Sequence, residues 1–526
     1  MDIFLIDAVG PFFRNYKKQR INWSKIPFHN LRLDPEGRRI QFDRIAADMR
    51  LFASKVSKAG YNSVSLDDVA HLTPDPCHGA AINDTIHILI QEYRVLFKIL
   101  KDHGLNIYLT MDVLSFSPGM KTKIAGSKKK GLQFIIKQVK SIFADFPEIS
   151  GIIFRIGESD GRDVKGDFKS ELFLRTPREV NTLIRELLPV FESHGRTLIL
   201  RSWTVGAYQI GDFIWHRRTM ARVLRGIDSP NFILSMKYGE SDFFRYLPLN
   251  KHFFRLKVRK IIELQAKREY EGCGEYPSFV GWDYHEYARQ LESAQNIAGI
   301  SVWCQTGGWV PFRRLTFLQK EGIWNELNSY VTLKVFKEKW SVEESVTAFC
   351  QEINCPDPQG FLEFLRLDDE VIKELLYIRE MAEKKIFFRR VRIPPLLTVY
   401  WNNIFINDSV RKILQHLVEN HEGSIQEGYN ALEKIKRMKT LAEELGLPAE
   451  DIQFMNDTFY IIALARSYYF LPDNEETVTT LKKAKKKYKV LYPKKDHPRY
   501  RIKTNYKPFP LRIGSLALLS RFLSEK

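Results

Sequence analysis

Gly151-Ile152-Ile153-Phe154-Arg155-Ile156-Gly157-Glu158 is an apolar run that closes on a cation and a carboxylate. A short run of this kind, rich in β-branched and aromatic residues and broken by glycine, reads as a buried strand with polar groups at its end. Two further stretches repeat the design. Asn231–Met236 runs into Lys237-Tyr238-Gly239-Glu240-Ser241-Asp242, and Val258–Leu264 carries Glu263-Leu264-Gln265 at its end. Working outward, Ile3–Val9, Asn62–Leu66, Asn106–Met111, Thr197–Arg201 and Ile300–Cys304 bring the strand candidates to eight. Amphipathic helical patterns lie between them at Phe42–Ala59, Glu92–His103, Lys130–Phe143, Pro177–His194, His216–Arg225 and Tyr284–Ala298, and Gly60, Gly104 and Gly195 stand where helix C-caps are expected. Alternating strands and helices make a parallel sheet, and eight pairs over roughly 300 residues are the size of a closed (β/α)8 TIM barrel. A doubly wound open sheet alternates too, but no G-x-G-x-x-G follows the first strand.

Past residue 330 the pattern changes. Ser341-Val342-Glu343-Glu344 is a capping box opening a helix. Amphipathic stretches follow near 359–384, 409–420, 424–445, 449–470 and 475–490, with Arg390–Trp401, holding Pro394 and Pro395, as a connection. The expected class is α/β: a catalytic barrel over 1–330 and an all-helical C-terminal domain with a basic tail over 331–526.

The chain has 526 residues, 44% hydrophobic and 13% aromatic, enough for a large core and against disorder. Met1–Asp7 reads as a first strand, since Asp2 and the absence of a basic n-region do not fit a signal peptide. No apolar stretch is long enough for a transmembrane helix. Cys77, Cys273, Cys304, Cys350 and Cys355 are odd in number and lack metal-site spacing, so no disulfide, metal or cofactor is expected and the cytoplasm is the expected compartment. The charge of +18 favours anionic partners, and much of it lies in the run Lys482–Lys489 and the tail beyond. That run reads as a solvated helix end, or else as a contact for an anionic surface. The oligomeric state, a homo-oligomer included, is left open.

Functional side chains of such a barrel project from the C-terminal strand ends. Read in order, those ends present Asp7, Asp67 and Asp68, Asp112, Arg155 and Glu158, Arg201 and Trp203, Lys237 with Asp242, Glu263 with Gln265, then Trp303 and Gln305. A single acid there is often an N-cap, and Asp68 and Asp112 have that alternative. A full ring of acids, cations and tryptophans instead suits a sugar. Cleaving a glycosidic bond takes one protonated carboxyl and one ionised carboxylate on opposite sides of the anomeric carbon. Glu158 is the candidate acid, and Asp242 and Glu263 are candidate bases. Arg155, Arg201 and Lys237 are candidate binders of an acidic group. Gln265, Asp68 and Asp112 are candidate polar contacts to the sugar, and Trp203, Trp303 and Trp309 candidate stacking faces, although each ring alone is more often core.

These pieces resemble glycoside hydrolase family 67, the α-glucuronidases acting on xylan-type chains. The resemblance lies in Glu158 after the fourth strand, Arg201 in Leu200-Arg201-Ser202-Trp203, Lys237-Tyr238-Gly239-Glu240-Ser241-Asp242-Phe243, and Glu263-Leu264-Gln265-Ala266-Lys267-Arg268-Glu269-Tyr270. It implies an inverting hydrolase of an acidic, uronic-acid-containing oligosaccharide or polysaccharide. Glu158 would be the general acid, Asp242 with Glu263 would activate water, and Arg201 and Lys237 would hold the uronic carboxylate. Two alternatives stay open. One is a retaining barrel glycosidase with Glu158 as acid/base and Glu263 as nucleophile; the other is a non-catalytic binder of anionic glycan or nucleic acid.

Overall fold

The computed structural model describes residues 1–14, 26–156, 166–203, 218–305, 314–388, 391–472, 475–494 and 498–508. Eight parallel strands close into a barrel: β1 (Ile3–Asp7), β2 (Ser63–Leu66), β3 (Asn106–Asp112), β4 (Ile149–Arg155), β5 (Thr197–Arg201), β6 (Phe232–Lys237), β7 (Arg259–Gln265) and β8 (Ile297–Trp303). Each strand pairs with its sequence neighbours, and β1 returns to β8 through Ile3↔Gly299 to Ile6↔Val302. All eight expected strands are present, most with ends within a residue or two of the sequence reading.

The period of two along each strand decides what fills the barrel. Ile3, Leu5, Tyr108, Ile153, Ile199, Ile233, Ile261 and Ala298 form an apolar cluster of their own, the plug of the lumen. Their neighbours of opposite parity, such as Phe154, Leu200, Leu234 and Ile262, belong to the large core shared with the surrounding helices. Two residues beyond the plug, the inward positions become Thr110, Arg155, Arg201, Ser235 and Glu263, and two further on Asp112, Lys237 and Gln265. The switch from aliphatic to charged side chains at constant parity makes one end of the barrel a floor and the other a polar mouth.

Local signals set the helices. Asp34 caps Pro35–Ala59 by accepting from the Gly37 N–H, and Gly60 ends it at φ 113°, a left-handed conformation that costs glycine little. Complete capping boxes open Pro177–Ser193 (Thr176 and Glu179) and Val342–Ile353 (Ser341 and Glu344). The helix expected over Tyr284–Ala298 is shorter, running Gly281–Gln290, and β8 begins at Ile297. Residue 330 falls within the helix Ile323–Leu333 that follows β8, so the barrel's last helix crosses the expected boundary.

The C-terminal region is helical, as expected. Its longest members, His421–Glu444 and Ala449–Phe470, pack on each other. It also holds a three-stranded sheet of Val399–Tyr400, Asn403–Asn407 and Arg501–Asn505, and a hairpin pairing Phe387–Phe388 with Val391–Arg392. The lysine run lies on the helix Glu475–Leu491, which buries Leu481 and Tyr488 and exposes Lys482, Lys483, Lys486, Lys487 and Lys489. A buried ion network welds this region to the barrel. The Arg245 guanidinium reaches Glu271 at 3.2 Å, Asp283 at 2.9 Å and Asp369 at 2.8 Å, while Arg314 grips Asp451 at 2.5 Å. Among the described residues no helix is long and apolar enough to cross a membrane.

Candidate active site

Two buried salt-bridge groups and one open pair make up the polar mouth. On the β3–β4 side, Arg155 donates through Nε to Asp112 at 2.8 Å and lies 3.6 Å from Asp67. Ser170 also donates to Asp112, and Thr110 to Asp67 at 2.5 Å. On the β5–β7 side, Arg201 makes a two-pronged pair with Glu263, at 2.8 and 2.6 Å, and Ser235 donates to the same carboxylate at 2.7 Å. The Arg201 guanidinium also sits 4.6 Å above the Trp303 ring, so the sequence-named residues of β5, β7 and β8 meet in one place. Burial pushes the Glu263 carboxyl up, but Arg201, Ser235 and the charge of Lys237 outweigh it, and its pKa ends below the ordinary value.

The third group is less enclosed. Lys237 ends β6 with its Nζ 2.6 Å from Asp242 and 3.5 Å from the Trp203 ring. Asp242 also accepts from the Phe243 N–H at 3.0 Å and the Tyr270 hydroxyl at 2.8 Å. Its side chain keeps 17% exposure, against 1% for Glu263 and 4% for Asp112. Of the three carboxylates, Asp242 is the one a water molecule or a sugar can reach.

Other sequence-named residues take structural posts. Asp68 caps the short turn Val69–Leu72 and holds the His71 ring at 2.6 Å, and His71 lines a cavity of about 280 Å³ together with Phe28 and Phe168. Asp7 is pushed up to about 6 by burial, although it accepts backbone N–H groups of Cys304 and Gln305 and so ties the end of β1 to the end of β8. Gln265 exchanges hydrogen bonds with Glu269, its side-chain amide donating at 3.2 Å and its carbonyl accepting from the Glu269 N–H at 3.1 Å. Glu158 and Trp309 lie outside the described residues.

Three residues that the sequence reading left without a role join the site. Glu269 is fully buried, and burial together with the Asp242 charge pushes its carboxyl up to about 8 against the pull of Lys237. It stands in the motif Glu263–Tyr270, and a second acid four residues after Gln265 was the available signal. Tyr270 is the hydroxyl donor to Asp242. Tyr400, 42% exposed, comes from the C-terminal region and lies 5.7 Å, ring to ring, from Tyr270. Burial and the charges of Asp242 and Glu269 push its phenol up to about 12, which puts it within their field. Asp242 and Glu269 are thus neighbouring carboxyl groups in unlike surroundings, one reachable from the mouth and one fully buried. Among the described residues no cluster of histidine, cysteine and carboxylate side chains has metal-holding geometry.

No family model and no curated protein matches this sequence. Among solved structures the chain is similar to a GH138 enzyme targeting pectin rhamnogalacturonan II, with 11% identity and a TM-score of 0.55 over 89% of this chain and 57% of that one. The shared feature is the fold. The chain thus spans a little over half the length of that enzyme. A family 89 glycoside hydrolase from Clostridium perfringens, solved in complex with PUGNAc, matches at 10% identity and a TM-score of 0.44, over 93% of this chain and 53% of that one. The resemblance to family 67 rests on the motifs alone.

Proposed function

We propose that the chain is a glycoside hydrolase acting on an acidic, uronic-acid-containing oligosaccharide or polysaccharide, by inversion as in the α-glucuronidases. The observation that carries this reading is the contrast between Asp242, reachable at the mouth beside Lys237, and Glu263, locked against Arg201. Asp242 takes a proton from water as it attacks the anomeric carbon. Glu158, three residues after β4 in the sequence, gives a proton to the leaving oxygen. Lys237 holds Asp242 in place, and Trp203 covers the ammonium. Glu263 keeps Arg201 oriented. The retaining alternative is disfavoured, because a nucleophile must aim a free carboxylate oxygen at the sugar, and both oxygens of Glu263 already accept from Arg201. The similar GH138 fold and the family 67 motifs point to the same class of chemistry.

The test is hydrolysis of glucuronic- and galacturonic-acid-containing oligosaccharides by the wild-type chain and by Asp242→Asn, with the first-formed anomer followed by NMR. Loss of a catalytic base lowers kcat by about 10²–10⁴-fold. A product anomer opposite to the substrate's supports inversion. Undiminished turnover in Asp242→Asn and Glu158→Gln alike would overturn the assignment.

A further inference from the structure

Several exposed helices of the chain pair a cation with an acid three or four residues away, as in Lys98–Asp102, Arg289–Glu286 and Lys436–Glu433. The helix Glu475–Leu491 departs from that pattern after its first turn. From Thr477 to Pro508 every charged side chain among the described residues is a lysine or arginine, and none joins an ion pair. Lys482 and Lys486, Lys483 and Lys487, and Lys485 and Lys489 are instead like charges four residues apart, which repel along the helix. Solubility alone asks for mixed charges; a field of one sign is relieved by a polyanion.

The charge continues onto the next strand. The helix lies antiparallel to Arg501–Asn505: Arg499 donates to the Lys489 carbonyl at 3.2 Å, the Tyr500 N–H to the Tyr488 hydroxyl at 3.2 Å, and Lys485 Nζ to the Thr504 hydroxyl at 2.9 Å. That strand is an edge of the three-stranded sheet and exposes Arg501 and Lys503. The sheet in turn leads to the barrel mouth. Arg501 is in register with Asn403, and Asn403 with Tyr400. Two strand spacings, about 10 Å, therefore separate the backbone of Arg501 from that of Tyr400. The Tyr400 ring, half in solvent, lies 5.7 Å from that of Tyr270, whose hydroxyl donates to Asp242 at 2.8 Å. A polymer leaving the mouth past Tyr400 can run onto Arg501 and then onto the lysines.

We propose that the helix Glu475–Leu491 and the strand Arg501–Asn505 form a docking surface for the part of an acidic polysaccharide that lies outside the barrel mouth. The inference rests on the glycosidase reading for the class of its partner. Lysine suits the task, because a compact charge on a flexible stem pairs with carboxylates along a chain without fixing one register. Continuity with the mouth favours the glycan over a nucleic acid or a membrane. Val490 and Leu491, exposed at the end of the helix, make an anionic vesicle a necessary arm of the test.

Binding is measured by calorimetry at about 50 and 200 mM salt on full chains carrying Asp242→Asn, so that the ligand is not consumed. The probes are polygalacturonate, its methyl ester, a single-stranded DNA of similar length and vesicles containing phosphatidylserine. One variant combines Lys483→Gln, Lys486→Gln, Lys487→Gln and Arg501→Gln, all at exposed positions; Arg501→Gln alone leaves the helix untouched. A charge-matched control combines Lys101→Gln, Lys129→Gln, Lys130→Gln and Lys140→Gln, exposed on two barrel helices. The combined variant should bind polygalacturonate about 10- to 100-fold more weakly at the lower salt, the loss of four exposed charge contacts. Arg501→Gln should show part of that loss, the control about 2-fold or less, and the gap should narrow at the higher salt. The ester should bind parent and variant alike. Equal losses in variant and control, undiminished binding by the variant, or tighter binding of DNA or vesicles than of polygalacturonate would overturn the proposal. Hydrolysis is scored apart, on the wild-type chain. If no uronide is cleaved while the binding results hold, the glycosidase reading fails and the docking surface stands.

Discussion

Glu263 and Asp242 carry the same formal charge at the same barrel mouth, yet their surroundings set them opposite tasks. Glu263 and Arg201 are each 1% exposed and bonded at two points, so either becomes a liability without the other. Arg201→Met should cost about 3–5 kcal/mol in urea unfolding, because it strands a buried carboxylate. The double variant Arg201→Met, Glu263→Leu should recover most of that loss; if it is no better than the single variant, the pair is not what holds this part of the mouth. Glu269 poses the inverse case. Its folded pKa of about 8 lies above the ordinary 4.5, so between those values the folded state holds a proton that the unfolded chain has lost. Stability contributed by this group therefore falls as pH rises from about 4.5 to 8 and is level above. Glu269→Gln should gain on wild type across that window in thermal melts, and a constant difference from pH 4 to 9 would refute it. The sequence placed Glu158, Asp242 and Glu263 at strand ends but was silent on Glu269. Spacing shows which face a residue occupies; it does not show which carboxyls share one low-dielectric enclosure.

At the level of elements, strands were legible because each apolar run is short and bounded by glycine or acid, and the inward parity then follows. The irregular places were not. Pairing slips between Ile297 and Gly299 on β8 and between Ile107 and Tyr108 on β3, opposite Gly151 of β4. Both glycines stand where a side chain has no room: a Cβ on Gly299 would overlap the carbonyl of Ile3, and one on Gly151 the carbonyl of Thr197. Gly299→Ala should destabilise by about 1–3 kcal/mol or more by forcing the β1–β8 seam apart. Gly10→Ala, with its nearest neighbour at 3.5 Å, is the tolerated control in the same denaturation series. The helix expected to reach Ala298 stops early because Glu292-Ser293-Ala294-Gln295-Asn296 offers no apolar face, and Asn296 takes φ 58° to turn the chain into β8. The sheet of Asn403–Asn407 went unseen because its parallel partner Arg501–Asn505 lies nearly a hundred residues away, and a five-residue alternation carries no record of a distant mate.

Taken whole, the molecule is two architectures sharing one core. The apolar cluster that begins at Phe4 continues to Ile502 without a break. Across it, Arg245 from the barrel meets Asp369 from the C-terminal helices, and Tyr377 donates to Glu271 at 2.7 Å. The division near residue 330, legible as a change of periodicity, is thus a change of pattern and not a loose joint. Calorimetry should record a single unfolding transition. Arg245→Met, which leaves Glu271 with the Arg268 cation alone and Asp283 and Asp369 with that of Lys373 alone, should lower stability by about 1–3 kcal/mol. Two resolved transitions in the wild-type chain would show the halves to be independent.

Barrel closure joins the earliest strand to the latest, since β1 pairs with β8 as well as with β2. On the ribosome Ile3–Asp7 emerges long before Ile297–Trp303 has been made. At about 5–20 residues per second the delay is on the order of 15–60 s. Through that interval one edge of the first strand stands open, a template for any other nascent chain in reach. Chains stalled short of Trp303 should therefore be digested by protease where the full chain resists.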